Sequence, residues 1–96
     1  MTNPTLLQPS ELTQQLDELT SWTLSKDELS IQKTFAFKNY YHTMAFVNAV
    51  AWIAHQQDHH PDLEVGYNKC KVTYSTHSAG GITKLDVEAA KQIEDL

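Results

Sequence analysis

The stretch LSIQKTFAFKNYYHTMAFVNAVAWIAHQQ, residues 29–57, changes its hydrophobic period part way along, and that change decides the fold. Leu29, Ile31, Lys33, Phe35 and Phe37 alternate with Ser30, Gln32, Thr34 and Ala36, a period of two that predicts a strand with one buried face. Lys38-Asn39 ends the strand, and the Asn39 side chain is suited to cap a helix. From Tyr40 to about Gln57 the chain is rich in Ala, Val, Met and aromatics. Tyr40, Met44, Val47, Ala51 and Ala54 form one stripe, widened by Phe46, Val50 and Ile53, which predicts the longest helix and the main core element. Pro61 disfavours helical geometry at His60, so this helix stops near Asp58 to His60.

The flanks complete the pattern. Met1–Gln8 reads as an irregular lead-in, and Pro9-Ser10 opens a helix, with Ser10 as cap and Leu12, Leu16 and Leu19 at helical spacing. Thr20-Ser21 breaks it. Trp22 and Leu24 predict a short strand, and Ser25–Glu28 a polar turn that pairs this strand with the next as a hairpin. Beyond Pro61, residues Asp62–Gly66 can hold a short extended piece, and Cys70, Val72 and Tyr74 alternate with Lys69, Lys71, Thr73 and Ser75 in a further strand. Ser78–Gly81 is a loop. Thr83 begins a last helix carrying Leu85, Ala89, Ile93 and Leu96. The expected architecture is α+β: a two-layer sandwich, an antiparallel sheet of about four strands with about three helices on one face, the other face open or paired with another subunit.

Ninety-six residues make one domain, 1–96, with a modest core that self-association would enlarge. A net charge of −5, with scattered lysines and no arginine, argues against direct nucleic-acid binding, which needs a basic stripe. Without Arg the usual bidentate clamp for phosphate is also missing, so recognition mainly through a phosphate is not expected. Cys70 is the only cysteine and falls in an apolar strand pattern, so a buried thiol is expected and no internal disulfide can form. No basic-then-apolar leader and no run of about 20 apolar residues is seen, so the expectation is a cytoplasmic protein that does not engage a membrane.

Three of the five histidines lie between His55 and His60, and His77 follows one strand later. Imidazole gives and takes protons near neutral pH, so histidines gathered in one region are candidates for proton transfer. Each residue also has an ordinary reading. His59 and His60 leave the long helix together, where an imidazolium is mildly favoured by the helix dipole. His77 continues the polar face of Lys71, Thr73 and Ser75, as a surface histidine would. Asp86 stands three residues after Thr83, the spacing of a capping box. Tyr67 suits a core or an interface. His55 and His59 are spaced like zinc ligands on one helical face, yet no third ligand stands at a recognisable spacing, and no metal is expected. There is no nucleophile elbow and no phosphate-cradling glycine loop.

Together these positions resemble the pterin-4a-carbinolamine dehydratase family. The resemblance runs from His55 through three residues to His59-His60-Pro61, five more to Tyr67, nine to His77 and eight to Asp86. Tyr67-Asn68-Lys69, Ser75-Thr76-His77 and Gly81-Ile82-Thr83 are also similar to the family, as are the Trp22 region and Phe35–Phe37 ahead of the long helix. Departures are His55, where many members carry Glu, Leu63, where many carry Trp, and the run Glu64-Val65-Gly66.

The resemblance implies loss of water from a 4a-hydroxytetrahydropterin to give a quinonoid dihydropterin, in tetrahydropterin recycling, with no metal or redox cofactor. It implies that His59 and His77 are the acid–base pair, that His60 holds the pterin edge and assists, and that Asp86 orients a histidine. Pro61 would shape the pocket wall, with His55 and Tyr67 also touching the substrate. It further implies a homodimer or homotetramer. A dimerisation or coactivator-type binding module, or a pterin-binding protein without turnover, would keep the same fold.

Overall fold

A glycine-poor turn, a capped helix and a proline set the main chain reversals of this protein, seen in a computed structural model that describes residues 5–96. Residues 1–4 of the expected lead-in lie outside the described residues. The elements run α1 (Pro9–Asp17), β1 (Thr23–Leu24), β2 (Ile31–Ala36), α2 (Tyr40–Gln57), β3 (Asp62–Val65), β4 (Lys69–Tyr74), a 3₁₀ turn (His77–Ala79) and α3 (Lys84–Glu94). The strands form one antiparallel sheet in the order β1-β2-β4-β3. Ile31, Phe35, Cys70, Val72, Tyr74 and Leu63 point to the face that the helices cover, where they join Val50, Ile53, Ala89, Ala90 and Ile93 in the core. The opposite face carries Gln32, Thr34, Lys71 and Thr73. This is the expected α+β two-layer arrangement.

Several local expectations change. Gln8 rather than Ser10 is the cap residue of α1. Pro9 lacks an N–H and has φ already near the helical value, so the helix starts at Pro9, two residues too early for Ser10 to cap it. Strand β2 is shorter than residues 29–37: the Asp27 carboxylate accepts the Leu29 N–H, and Glu28 has φ 61°, which keeps Leu29 in the turn at 49% exposure. The buried line of α2 is Thr43, Phe46, Val50 and Ile53, while Tyr40 and Ala51 are exposed. The spacing 3-4-3 of that line keeps it facing the sheet, and the stripe centred on Met44 and Ala51 lies to its side. In α3 the buried residues include Asp86 and Val87, while Leu96 lies beyond the helix end and is exposed.

The helix boundaries that matter for the site follow the sequence. The Asn39 side chain accepts the His42 N–H at 3.0 Å, capping α2. At the other end Asp58 adopts left-handed geometry (φ 53°), and the His59 N–H reaches back to the Ala54 carbonyl at 3.1 Å, the 6→1 bond of a Schellman ending. This turn sends His59 inward, beneath the end of the helix. The last turn of α3 is tied to the sheet through Glu94, whose carboxylate accepts the Trp22 indole N–H at 2.8 Å and pairs with Lys33. Among the described residues no helix is long and apolar enough to cross a membrane.

Candidate functional site

A cleft of about 380 Å³ opens where α2 ends, lined by Val50, Ala51, Ala54, His55, Asp58, His59, His60, Pro61 and Leu63. That volume is in the range of small-molecule sites, roughly 300–1,000 Å³. Its walls are apolar, and its polar groups are three imidazoles and one carboxylate.

His59 is the inward member of the pair, its side chain 11% exposed. Its Nε2 lies 2.6 Å from Oδ1 of Asp86, a residue 0% exposed at the start of α3. Asp86 Oδ2 accepts the Thr83 backbone N–H at 2.9 Å and the Thr76 hydroxyl at 2.8 Å. Because the Thr76 hydroxyl donates to Asp86, the Thr83 hydroxyl donates in turn to Thr76, 2.8 Å away, and accepts the Leu85 N–H. Three donors therefore converge on one buried carboxylate. With Nε2–H committed to Asp86, Nδ1 of His59 is the nitrogen left to exchange a proton with a ligand. The capping-box reading of Asp86 and the orienting reading hold together: one oxygen closes the helix start and the other takes the imidazole.

The His59 ring stacks on Tyr74, centroids 5.4 Å apart and planes inclined by 25°. Burial, and then the charge of Asp86, push the Tyr74 phenol up to about 12, so it stays neutral across the physiological range. Its hydroxyl has no hydrogen-bond partner among the described residues.

The other sequence candidates separate. His55 is exposed, lines the cleft and lies against Trp52 with ring centroids 5.7 Å apart. His60 and Pro61 line the cleft beside it. Tyr67 and His77 are not among the lining residues. Tyr67 is exposed in the β3–β4 turn, where its carbonyl accepts the Thr43 hydroxyl. His77 is exposed at the start of the 3₁₀ turn. Strand parity explains the separation: Cys70, Val72, Tyr74 and Thr76 face inward, so His77 takes the outward side. Cys70 is buried, and burial pushes its thiol up. Among the described residues, no group of three or more His, Cys, Asp or Glu is gathered as metal ligands would be.

Sequence reasoning missed Thr76 and Tyr74 as parts of the site. The available signal was the same parity, which puts a hydroxyl and a phenol on the apolar face of a strand, where each needs a reason.

The family described as Pterin 4 alpha carbinolamine dehydratase matches residues 5–96. A protein of Nitrosospira multiformis, provisionally named pterin-4-alpha-carbinolamine dehydratase, is 54% identical over 91 residues, covering 94% of this chain and 78% of its own length. Among solved structures, a transcriptional coactivator/pterin dehydratase from Brucella melitensis superposes with TM-score 0.91 at 32% identity, covering 95% of this chain and 97% of the other. A pterin dehydratase-like protein identified as a RuBisCO assembly factor in the alpha-carboxysome shares the fold, with TM-score 0.67 at 23% identity over 79% of this chain and 88% of the other.

Proposed function

Because the chain belongs to the pterin 4 alpha carbinolamine dehydratase family, we propose that it removes water from a 4a-hydroxytetrahydropterin to give the quinonoid dihydropterin, in tetrahydropterin recycling. The observation that carries this reading is the buried Asp86–His59 pair at the edge of an apolar cleft lined by two further histidines. In the reaction the C4a–O bond breaks, the departing hydroxyl takes a proton and leaves as water, and a ring nitrogen gives up its proton as the C=N bond forms. Two imidazoles suffice for both transfers, and such acid–base help contributes about 10²–10⁴-fold.

In this reading Asp86 holds Nε2 of His59, whose Nδ1 carries one of the two protons. His60 and His55 meet the polar edge of the pterin, and Pro61 and Leu63 form the wall against its flat face. By the resemblance His77 is the second acid–base group and Tyr67 borders the substrate, although both stand outside the lining of this cleft, so the His77→Ala variant below decides that role. The expected setting is the cytoplasm. The expected assembly is a homodimer or homotetramer, which the exposed, uncharged outer face of α2 and the edge strand β3 would serve.

The test follows the decay of enzymatically generated 4a-hydroxytetrahydropterin by absorbance. The expected result is acceleration by the parent protein and a loss of more than about tenfold in His59→Ala and in His77→Ala, both folded. No acceleration by the parent protein refutes the reading. Full activity in His77→Ala alone removes His77 from the site and leaves His59 to act with another group.

A second reading draws on Trp52 and Tyr41, exposed at 60% and 82% on a helix without a single Asp, Glu, Lys or Arg. A binding module of the dimerisation or coactivator type would present such a face, and the Brucella relative is described in those terms. Protein association without dehydration would favour it. Pterin binding without turnover would make this a pterin-binding protein.

A further inference from the structure

Thr76 stands where two hydrogen-bond systems cross. Its side chain is buried, donates to Asp86 Oδ2 at 2.8 Å and meets the Thr83 hydroxyl at 2.8 Å. Its backbone closes the turn that carries His77: the Thr76 N–H donates to the Gly81 carbonyl at 2.8 Å, and its carbonyl accepts the N–H groups of Ala79 and Gly80, each at 3.0 Å. One residue therefore grips the carboxylate beneath His59 with its side chain and the His77 turn with its main chain. We propose that Thr76 is a positioning residue that sets the Asp86 carboxylate, and through it the His59 imidazole, in fixed relation to the His77 turn.

The donor count supports this role. Among the described residues Asp86 Oδ1 receives only the His59 ring, while Oδ2 receives the Thr83 N–H and the Thr76 hydroxyl. Without Thr76, a single backbone bond would hold Oδ2, and the carboxylate could turn about its Cβ–Cγ bond. The 2.6 Å contact that fixes the His59 ring depends on where Oδ1 lies. A displacement of about 1 Å in a catalytic group can cost on the order of a hundredfold in rate. The Thr83 hydroxyl would also lose its buried acceptor, so the effect would spread to the cap of α3.

The inference rests on the acid–base reading of His59, and the experiment separates the two. Thr76→Val keeps the branched shape and deletes the donor, Thr76→Cys offers a weak donor, and Thr76→Ser keeps the hydroxyl. The expected kcat for dehydration falls roughly tenfold or more in Thr76→Val with KM within about twofold, lies between in Thr76→Cys, and stays within about threefold of the parent in Thr76→Ser. In ¹⁵N-labelled protein the His59 ring should show its proton held on Nε2 in the parent and in Thr76→Ser. That signature should average between tautomers in Thr76→Cys and, where it folds, in Thr76→Val. A parent-like kcat and an unchanged His59 signature in Thr76→Cys overturn the proposal. So does a loss of rate in which KM rises with the His59 signature intact, the result of a merely structural role. The imidazole signature needs no substrate: a parent protein that fails to dehydrate the pterin refutes the activity, while the His59 spectrum still judges Thr76.

Discussion

Tyr74 combines a ring the site uses with a hydroxyl it does not. Its face lies along His59, and its O–H is buried beside Asp86 without a partner among the described residues. An unpartnered buried hydroxyl is destabilising, so Tyr74→Phe should be at least as stable as the parent at neutral pH and keep its activity. The two proteins diverge in alkali. The folded phenol is raised from 10.0 to about 12, so the stability it carries is complete below pH 10 and is lost as pH rises towards 12, because the unfolded chain ionises first. Denaturant unfolding at stepped pH should show the parent losing about 2–3 kcal/mol relative to Tyr74→Phe across that window, and parallel curves would refute the assignment. Asp86 is a stricter case. Asp86→Asn sets an amide N–H against donors on one side of the group, so both thermal stability and dehydration rate should fall. If only the melting temperature moves, Asp86 is a helix cap and no more. The identity of Asp86 as a cap was legible from Thr83 three residues before it. That it orients a histidine was implied by the motif; which histidine was not legible, because that contact joins residues 27 apart in sequence.

The end of α2 is the element on which the cleft depends. Asn39 and Pro61 announced both ends of this helix, since a cap and a proline act through local geometry. Which face it buries was harder to read. An amphipathic helix declares its inner face by contrast, and the 18 residues of α2 include no Asp, Glu, Lys or Arg to mark the outer one. The turn that ends it uses Asp58 in left-handed geometry where glycine is the usual choice, and Asp58 also lines the cleft. Asp58→Gly should relieve the backbone and the repulsion between its carboxylate and the helix C-terminus. The expected gain is about 0.5–1 kcal/mol, or a few degrees in thermal melting. A melting temperature that falls instead would show that the Asp58 side chain holds the turn in place.

Over the whole molecule the helices cover one sheet face and leave the other polar, with β3 at the sheet edge and the outer side of α2 exposed. Trp52 and Tyr41 project from that helix into solvent in the single chain. If α2 forms the contact between copies, Trp52→Lys should shift sedimentation towards the smaller species without changing secondary structure, because a desolvated lysine is costly in an apolar contact. An unchanged sedimentation profile would move the contact elsewhere, to the β3 edge first. By itself the sequence determined the helical or extended period of the main elements, the caps and ends of α2 and the cap of α3, the α+β class and the family, because these depend on neighbours a few residues apart and on motif spacing. Only the tertiary structure decided that His59 rather than His60 turns inward onto Asp86, that Thr76 and Tyr74 join it, and that His77 and Tyr67 stand outside the cleft's lining. The physical reason is that strand parity and one left-handed residue set these directions. Their consequences become contacts only once β4, α2 and α3 are packed together.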